Sequence, residues 1–180
     1  MEEEKIDPVN CSAVVRAVKQ SGTFMLLDRD EEHYLVTEVF ILHLRQRDAF
    51  RIQCKLEVEK RNVYYERIKS DWVQSARDPD CDGVLEKYLS WIKQAEQGEI
   101  LTPTGIAVVL YENTPMDGRL YAGADGYILV QGDYLNMIGD KLELVCIGDM
   151  VVVNGCNVLT LMLDDAWQKN SFIVHKEGKQ

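Results

Sequence analysis

The chain has 180 residues and a formal net charge of −10, with 30 Asp and Glu against 20 Lys and Arg. A hydrophobic fraction of 46% and a charged fraction of 28% suit one folded domain over residues 1–180 and exclude collagen-like or low-complexity chains. No apolar run approaches the roughly 20 residues that span a bilayer, and Met1-Glu2-Glu3-Glu4-Lys5 lacks the apolar stretch of a signal peptide. A cytoplasmic protein without membrane contact is therefore expected.

Taken in chain order, Val9, Ala13, Val14, Ala17 and Val18 fall on one helical face, with Asn10 or Ser12 to cap it and Gly22 to close it. Residues 23–27 read as a strand, 28–32 as an acidic hairpin tip, and 33–44 as one long strand. Phe50, Ile52, Cys54, Leu56 and Val58 then alternate with Arg51, Gln53, Lys55 and Glu57, which predicts a strand with one wet, basic face. Helix is the competing reading, because Gln, Lys, Leu and Glu all favour it. Residues 63–76 are ambiguous, with helical character around Trp72.

A loop over 77–82 leads to a helix predicted by Val84, Leu85, Tyr88, Leu89 and Ile92, capped by Asp82 and ended by Gly98. Strands follow at 106–111 and 119–131 around a turn at 113–118, then at 141–147 and 150–153. Asn154-Gly155 is the pair that a tight type I′ turn demands, since both positions need positive φ. Residues 157–163 return antiparallel, and a last strand is expected at 172–175, beyond Trp167.

The five cysteines, Cys11, Cys54, Cys81, Cys146 and Cys156, are odd in number and contain no C-x-x-C pair. Neither a disulfide framework nor a zinc site is indicated, and Cys54 and Cys146 read as small buried hydrophobes. Asp78-Pro79-Asp80-Cys81-Asp82-Gly83 begins like a calcium loop, but position twelve is Leu89 instead of a bidentate Glu. It reads as an acidic turn capping a helix. His33, His43 and His175 form no H-x-x-x-H, and neither nucleotide-binding glycine motif is present. Gly123, Gly126 and Gly132 are expected within a strand. No cofactor, metal site or catalytic residue is indicated.

Charge is unevenly distributed. Between Arg45 and Lys69 eight basic residues face four acids, which makes that stretch +4 and leaves −14 elsewhere. The candidate contacts for nucleic acid or a partner are Arg45, Arg47, Arg51, Lys55, Lys60 and Arg61, with Trp72 as the base-stacking candidate. The plainer reading of the same stretch is a solvated face.

Tyr34-Leu-Val-Thr-Glu38-Val-Phe40-Ile41-Leu42 lies over Tyr121-Ala-Gly-Ala-Asp125-Gly-Tyr127-Ile128-Leu129 without a gap. Both halves, 8–76 and 77–167, read as helix, glycine, strand, turn and long strand, before a short C-terminal tail. An α+β protein is expected, with two helix-plus-antiparallel-sheet pseudo-repeats forming one sheet and both helices on one face. This arrangement resembles a single domain of a DNA sliding clamp. Ala124-Asp125-Gly126-Tyr127-Ile128-Leu129 is similar to that family's strand motif, in which Asp and Gly bend a long strand. The closing hairpin from Met150 to Leu163 resembles the family as well.

The resemblance implies a fold, and no site residue follows from it. It suggests a non-catalytic, clamp-like binding or scaffold protein, accessory to DNA metabolism of a phage or mobile element. Its partner would be a protein or a second copy, with DNA held through residues 45–69. Two other classes stay open: an acidic DNA mimic that inhibits another protein, and a small enzyme assembled from distant residues such as Cys81 and His33.

Overall fold

The structure is a computed structural model, and it describes residues 6–111, 115–161 and 172–176. Among the described residues four helices and twelve strands follow in the order α1 (Cys11–Ser21), β1 (Thr23–Arg29), β2 (Glu32–Val36), β3 (Phe40–Leu44), α2 (Gln46–Leu56), β4 (Tyr64–Ile68), β5 (Asp71–Gln74) and α3 (Cys81–Ala95). They continue with β6 (Thr102–Tyr111), β7 (Pro115–Gly123), β8 (Gly126–Gln131), α4 (Gly132–Ile138), β9 (Leu144–Ile147), β10 (Met150–Val153), β11 (Asn157–Thr160) and β12 (Phe172–Lys176). The fold is α+β. Pairing is antiparallel throughout, in an eight-stranded sheet ordered β5-β4-β1-β2-β3-β11-β10-β9 and a four-stranded sheet ordered β12-β6-β7-β8.

The large sheet is covered on both faces. Phe24, Leu26, Leu35 and Leu42 point to one side and pack with Val14 and Val18 of α1, Ile52 and Leu56 of α2, and Leu135 and Ile138 of α4. Met25, Leu27, Tyr34 and Val36 alternate to the other side, against Tyr88 and Ala95 of α3. A sheet buried on both faces needs apolar residues at consecutive positions, and Phe24 through Leu27 are all buried.

Both halves of the chain join this sheet where β3 pairs with β11, with Phe40 opposite Leu159. The expected single sheet with both helices on one face is not what forms. Strands β6, β7, β8 and β12 make a second sheet, and α1 and α3 lie on opposite faces of the first.

Several elements follow the sequence closely. Asn10 caps α1 by accepting from the Ala13 amide at 3.2 Å, and Gly22 ends it at φ 77°. Asn154 and Gly155 take φ 51° and 65° between β10 and β11, as the tight turn requires. Helix α3 begins at Cys81, and its cap is Asp80, not Asp82; Asp80 accepts from the Gly83 amide at 3.1 Å.

Others differ. The stretch expected as a strand from Phe50 to Val58 is helix α2, whose buried positions are Asp48, Ala49, Ile52 and Leu56. That spacing is helical, and the apparent alternation came from Phe50 and Cys54, which are exposed. Glu57 closes the helix in the left-handed region, at φ 57°. The ambiguous residues around Trp72 form the β4–β5 hairpin, with Lys69 at φ 60° in its turn.

Each expected long strand is two. Between β2 and β3 the Thr37 hydroxyl accepts from the Val39 and Phe40 amides at 3.2 and 3.0 Å, folding the chain back. Between β7 and β8 the chain reverses across Ala124 and Asp125, with Gly123 opposite Gly126. Asp-Gly therefore makes a hairpin here instead of bending one strand. Gly132 opens α4 at a strand-to-helix turn, where a Cβ would collide with the Asp117 carboxylate. The turn expected at 113–118 lies partly outside the described residues, and its described part belongs to β7. Trp167 lies outside them too.

Candidate nucleic-acid interface

Helix α2 packs its inner side on β2 and β3 and turns its other side to solvent. Ile52 is fully buried, whereas Phe50, two residues earlier, is 63% exposed. At 100° per residue, Arg47, Phe50, Arg51, Cys54 and Lys55 fall within an arc of about 140° on the outer side. Arg47, Arg51 and Lys55 follow one another at about 6 Å along the axis. All three are exposed, and among the described residues none of them forms an ion pair.

Phe50 stands between two clefts. One, of about 580 Å³, lies toward the start of α1 and is lined by Cys11, Arg51, Cys54 and Lys55. The other, of about 450 Å³, is lined by Asp28, His33, Arg47 and Arg61. An exposed ring with open space on both sides and cations along its edge can stack on a planar base while phosphates meet the cations.

The remaining candidates are placed differently. Arg45 precedes α2, and its Nε donates to Asp48 Oδ2 at 2.8 Å, where the carboxylate is 1% exposed. Asp48 also favours the positive helix N-terminus and accepts from the Cys11 thiol at 3.8 Å. Arg61 reaches both oxygens of Asp28 at 2.8 and 2.9 Å and donates through Nε to Gln53 at 2.9 Å. His33 Nδ1 lies 2.8 Å from the same Asp28. This network ties the β1–β2 hairpin to α2 and leaves Arg61 little freedom to meet an anion. Lys60 extends toward Gln74 at 3.4 Å. Trp72 packs edge-on against Phe24, with ring centroids 4.7 Å apart, and belongs to the rim of the core.

Thus three of the seven candidates share the outer face of α2. The residue that sequence reasoning missed there is Phe50, assigned to the buried side of a strand. The spacing of Ala49, Ile52 and Leu56 was the signal that would have turned it outward.

The thiols of Cys11 and Cys81 are held in their protonated form. Burial pushes the Cys11 and Cys81 thiols above their ordinary range, with the Asp48 carboxylate adding to the effect at Cys11 and Arg29 opposing it at Cys81. Cys54 is exposed on α2, contrary to its expected burial. Cys81 and His33 lie on opposite faces of the eight-stranded sheet, so the pairing suggested for a small enzyme is not assembled. Among the described residues no group of three His, Cys, Asp or Glu side chains is arranged to hold a metal ion, and no helix is long and apolar enough to cross a membrane.

No protein-family model, curated protein or solved structure matches the chain.

Proposed function

We propose that this chain is a non-catalytic binding protein that holds nucleic acid against the outer face of α2, with a clamp-like accessory role in DNA metabolism of a phage or mobile element. The observation that carries the reading is the row of Arg47, Arg51 and Lys55, exposed and without ion-pair partners among the described residues, beside the exposed ring of Phe50. Cations already paired to carboxylates must break those contacts to meet phosphate; these three need not. The acidity of the rest of the chain confines the contact to this face, so affinity depends on few phosphates and is weak at physiological salt.

The same reading takes the halves of the chain as related units. It is supported by residues 34–42 and 121–129 both folding as hairpins, one in each sheet. Their loops differ in length: Tyr34 stands opposite His43, and Tyr121 opposite Ile128.

A mobility shift with a labelled oligonucleotide at low salt tests the interface. The unmodified protein should retard it, with a log–log salt slope of about −2 to −3 for three phosphate contacts. The double variant Arg51→Glu/Lys55→Glu should abolish the shift. No retardation by the unmodified protein at low salt overturns the proposal.

A further inference from the structure

We propose that the cleft beside α3, on the opposite face of the eight-stranded sheet, binds a small carboxylic acid with an apolar or aromatic body. The cleft holds about 200 Å³ between the end of the sheet and the first turns of α3. That is below the roughly 300–1,000 Å³ of sites for drug-sized molecules, too small for a nucleotide and sufficient for a single substituted ring.

Its charge selects the ligand. Arg77 and Lys87 both line it, each lying over an aromatic wall: the Arg77 guanidinium is 4.9 Å from the Tyr64 ring centre, and the Lys87 ammonium 5.0 Å from that of Trp91. The rings hold the two cations at the cleft without neutralising them. Among the described residues Glu38 is the one acid in the lining, and it meets Arg77 only at 4.0 Å, with both side chains more than half exposed. Such a pair is weak in water, and a ligand carboxylate that engages the guanidinium fork in two hydrogen bonds displaces it. A cationic ligand is disfavoured by the same two groups.

The interior selects the rest of the molecule. Val36, Ile41 and Val84 supply an apolar floor beside the Tyr64 and Trp91 rings. Thr23 also lines the cleft, and its Oγ1 is buried with no hydrogen-bond partner, the one such side-chain atom among the described residues. A buried hydroxyl left unpaired is costly, and a ligand oxygen seated against it would supply the missing bond. Two cations at the mouth, an apolar body of space and an unpaired hydroxyl converge on one class: a compact carboxylate on a ring or branched chain. Nothing in this argument depends on the α2 face.

The test is a titration of the ¹⁵N-labelled full chain with sodium benzoate, followed by two-dimensional NMR, with benzamide and acetate as matched probes. Benzoate should shift the Trp91 indole N–H and the Thr23 amide saturably, at millimolar concentration or below. Benzamide, which lacks the charge, and acetate, which lacks the ring, should each bind roughly tenfold more weakly or not at all. Arg77→Gln, at an exposed position that keeps the fold, should weaken benzoate roughly tenfold. Thr23→Val keeps the shape and should weaken it about fivefold. Equal binding of benzamide or acetate, or no saturable shift with benzoate, overturns the proposal. Unchanged affinity in Thr23→Val removes the hydroxyl from the site.

Discussion

The two faces of the eight-stranded sheet are closed in different ways. One carries three helices, α1, α2 and α4, which together seal Phe24, Leu26, Leu42 and Val151 from water. Among the described residues the other carries only α3, over Met25, Leu27, Val152 and Val158. Three helices side by side bury the apolar residues of that face, and the polar groups left open stand along α2, beside the cleft lined by Asp28, His33, Arg47 and Arg61. There Arg47, Arg51 and Lys55 stand exposed on the outer side of α2, without ion pairs among the described residues. A single helix cannot cover a twisted sheet to its end, and the uncovered corner becomes the cleft walled by Tyr64 and Trp91. A row of cations along a helix suits an extended polymer, and a small cleft with aromatic walls suits a small molecule.

The sharpest way to break this comparison is at the inner side of α2. Ile52 is fully buried between α2 and the sheet, and Ile52→Ala should cost about 2–5 kcal/mol in chemical denaturation, by lost burial and the cavity left behind. A loss below about 1 kcal/mol would mean that α2 does not seal this face. On the other face the corresponding contact joins α3 to the β10–β11 turn, where the Tyr88 hydroxyl donates to the Cys156 carbonyl at 2.8 Å. Burial first, then the nearby Asp7 charge, raises the Cys156 thiol from its ordinary value of 9.0 to about 11. The unfolded chain thus gives up this proton at lower pH than the folded one. Its contribution to stability is complete below pH 9 and is lost as pH rises toward 11. Allowing for the partial exposure of the side chain, the loss is about 1–2 kcal/mol. Denaturation midpoints at pH 8 and pH 10 should differ less in Cys156→Ala than in the unmodified protein; an equal difference would assign the alkaline loss to other groups.

How much of these faces was legible in the sequence depends on how local the signal is. Helices α1 and α3 carry long amphipathic patterns, and the β10–β11 turn carries Asn154-Gly155, whose backbone requirement is confined to two residues. Those were readable. Helix α2 was not, because Phe50 and Cys54 fall two residues before Ile52 and Leu56 and so mimic alternation, although neither is buried. Helix α4 spans only seven residues, too few for a period to stand out. The break between β2 and β3 has no Gly or Pro to announce it, and depends on Thr37 bonding its own neighbours. The basic stretch was visible as composition, but pairing decided which cations stay free. Asp28 and Asp48, distant in sequence from each other, hold Arg61 and Arg45. The α3 cleft was invisible, since it draws on Thr23, Glu38, Tyr64, Arg77 and Trp91 from five separate segments.

The smallest effect on stability, and the most direct test of the outer face, is expected at Phe50. Its ring is 63% exposed and walls both α2 clefts, so Phe50→Ala should change the unfolding free energy by less than about 0.5 kcal/mol. If the ring stacks on a base, the same substitution should weaken a short single-stranded oligonucleotide by about 1–3 kcal/mol, read by fluorescence anisotropy. Charge reversal at Arg51 and Lys55 would act on any nucleic acid, because phosphates are common to all of them. Loss at Phe50 would act on unstacked bases and leave duplex affinity nearly unchanged, because duplex bases are already stacked on one another. Equal losses for strand and duplex would make Phe50 a support for the arginines instead of a stacking platform. A large loss of stability would put it among the packing residues of α2, and the division between a sealed inner side and a functional outer side would fail.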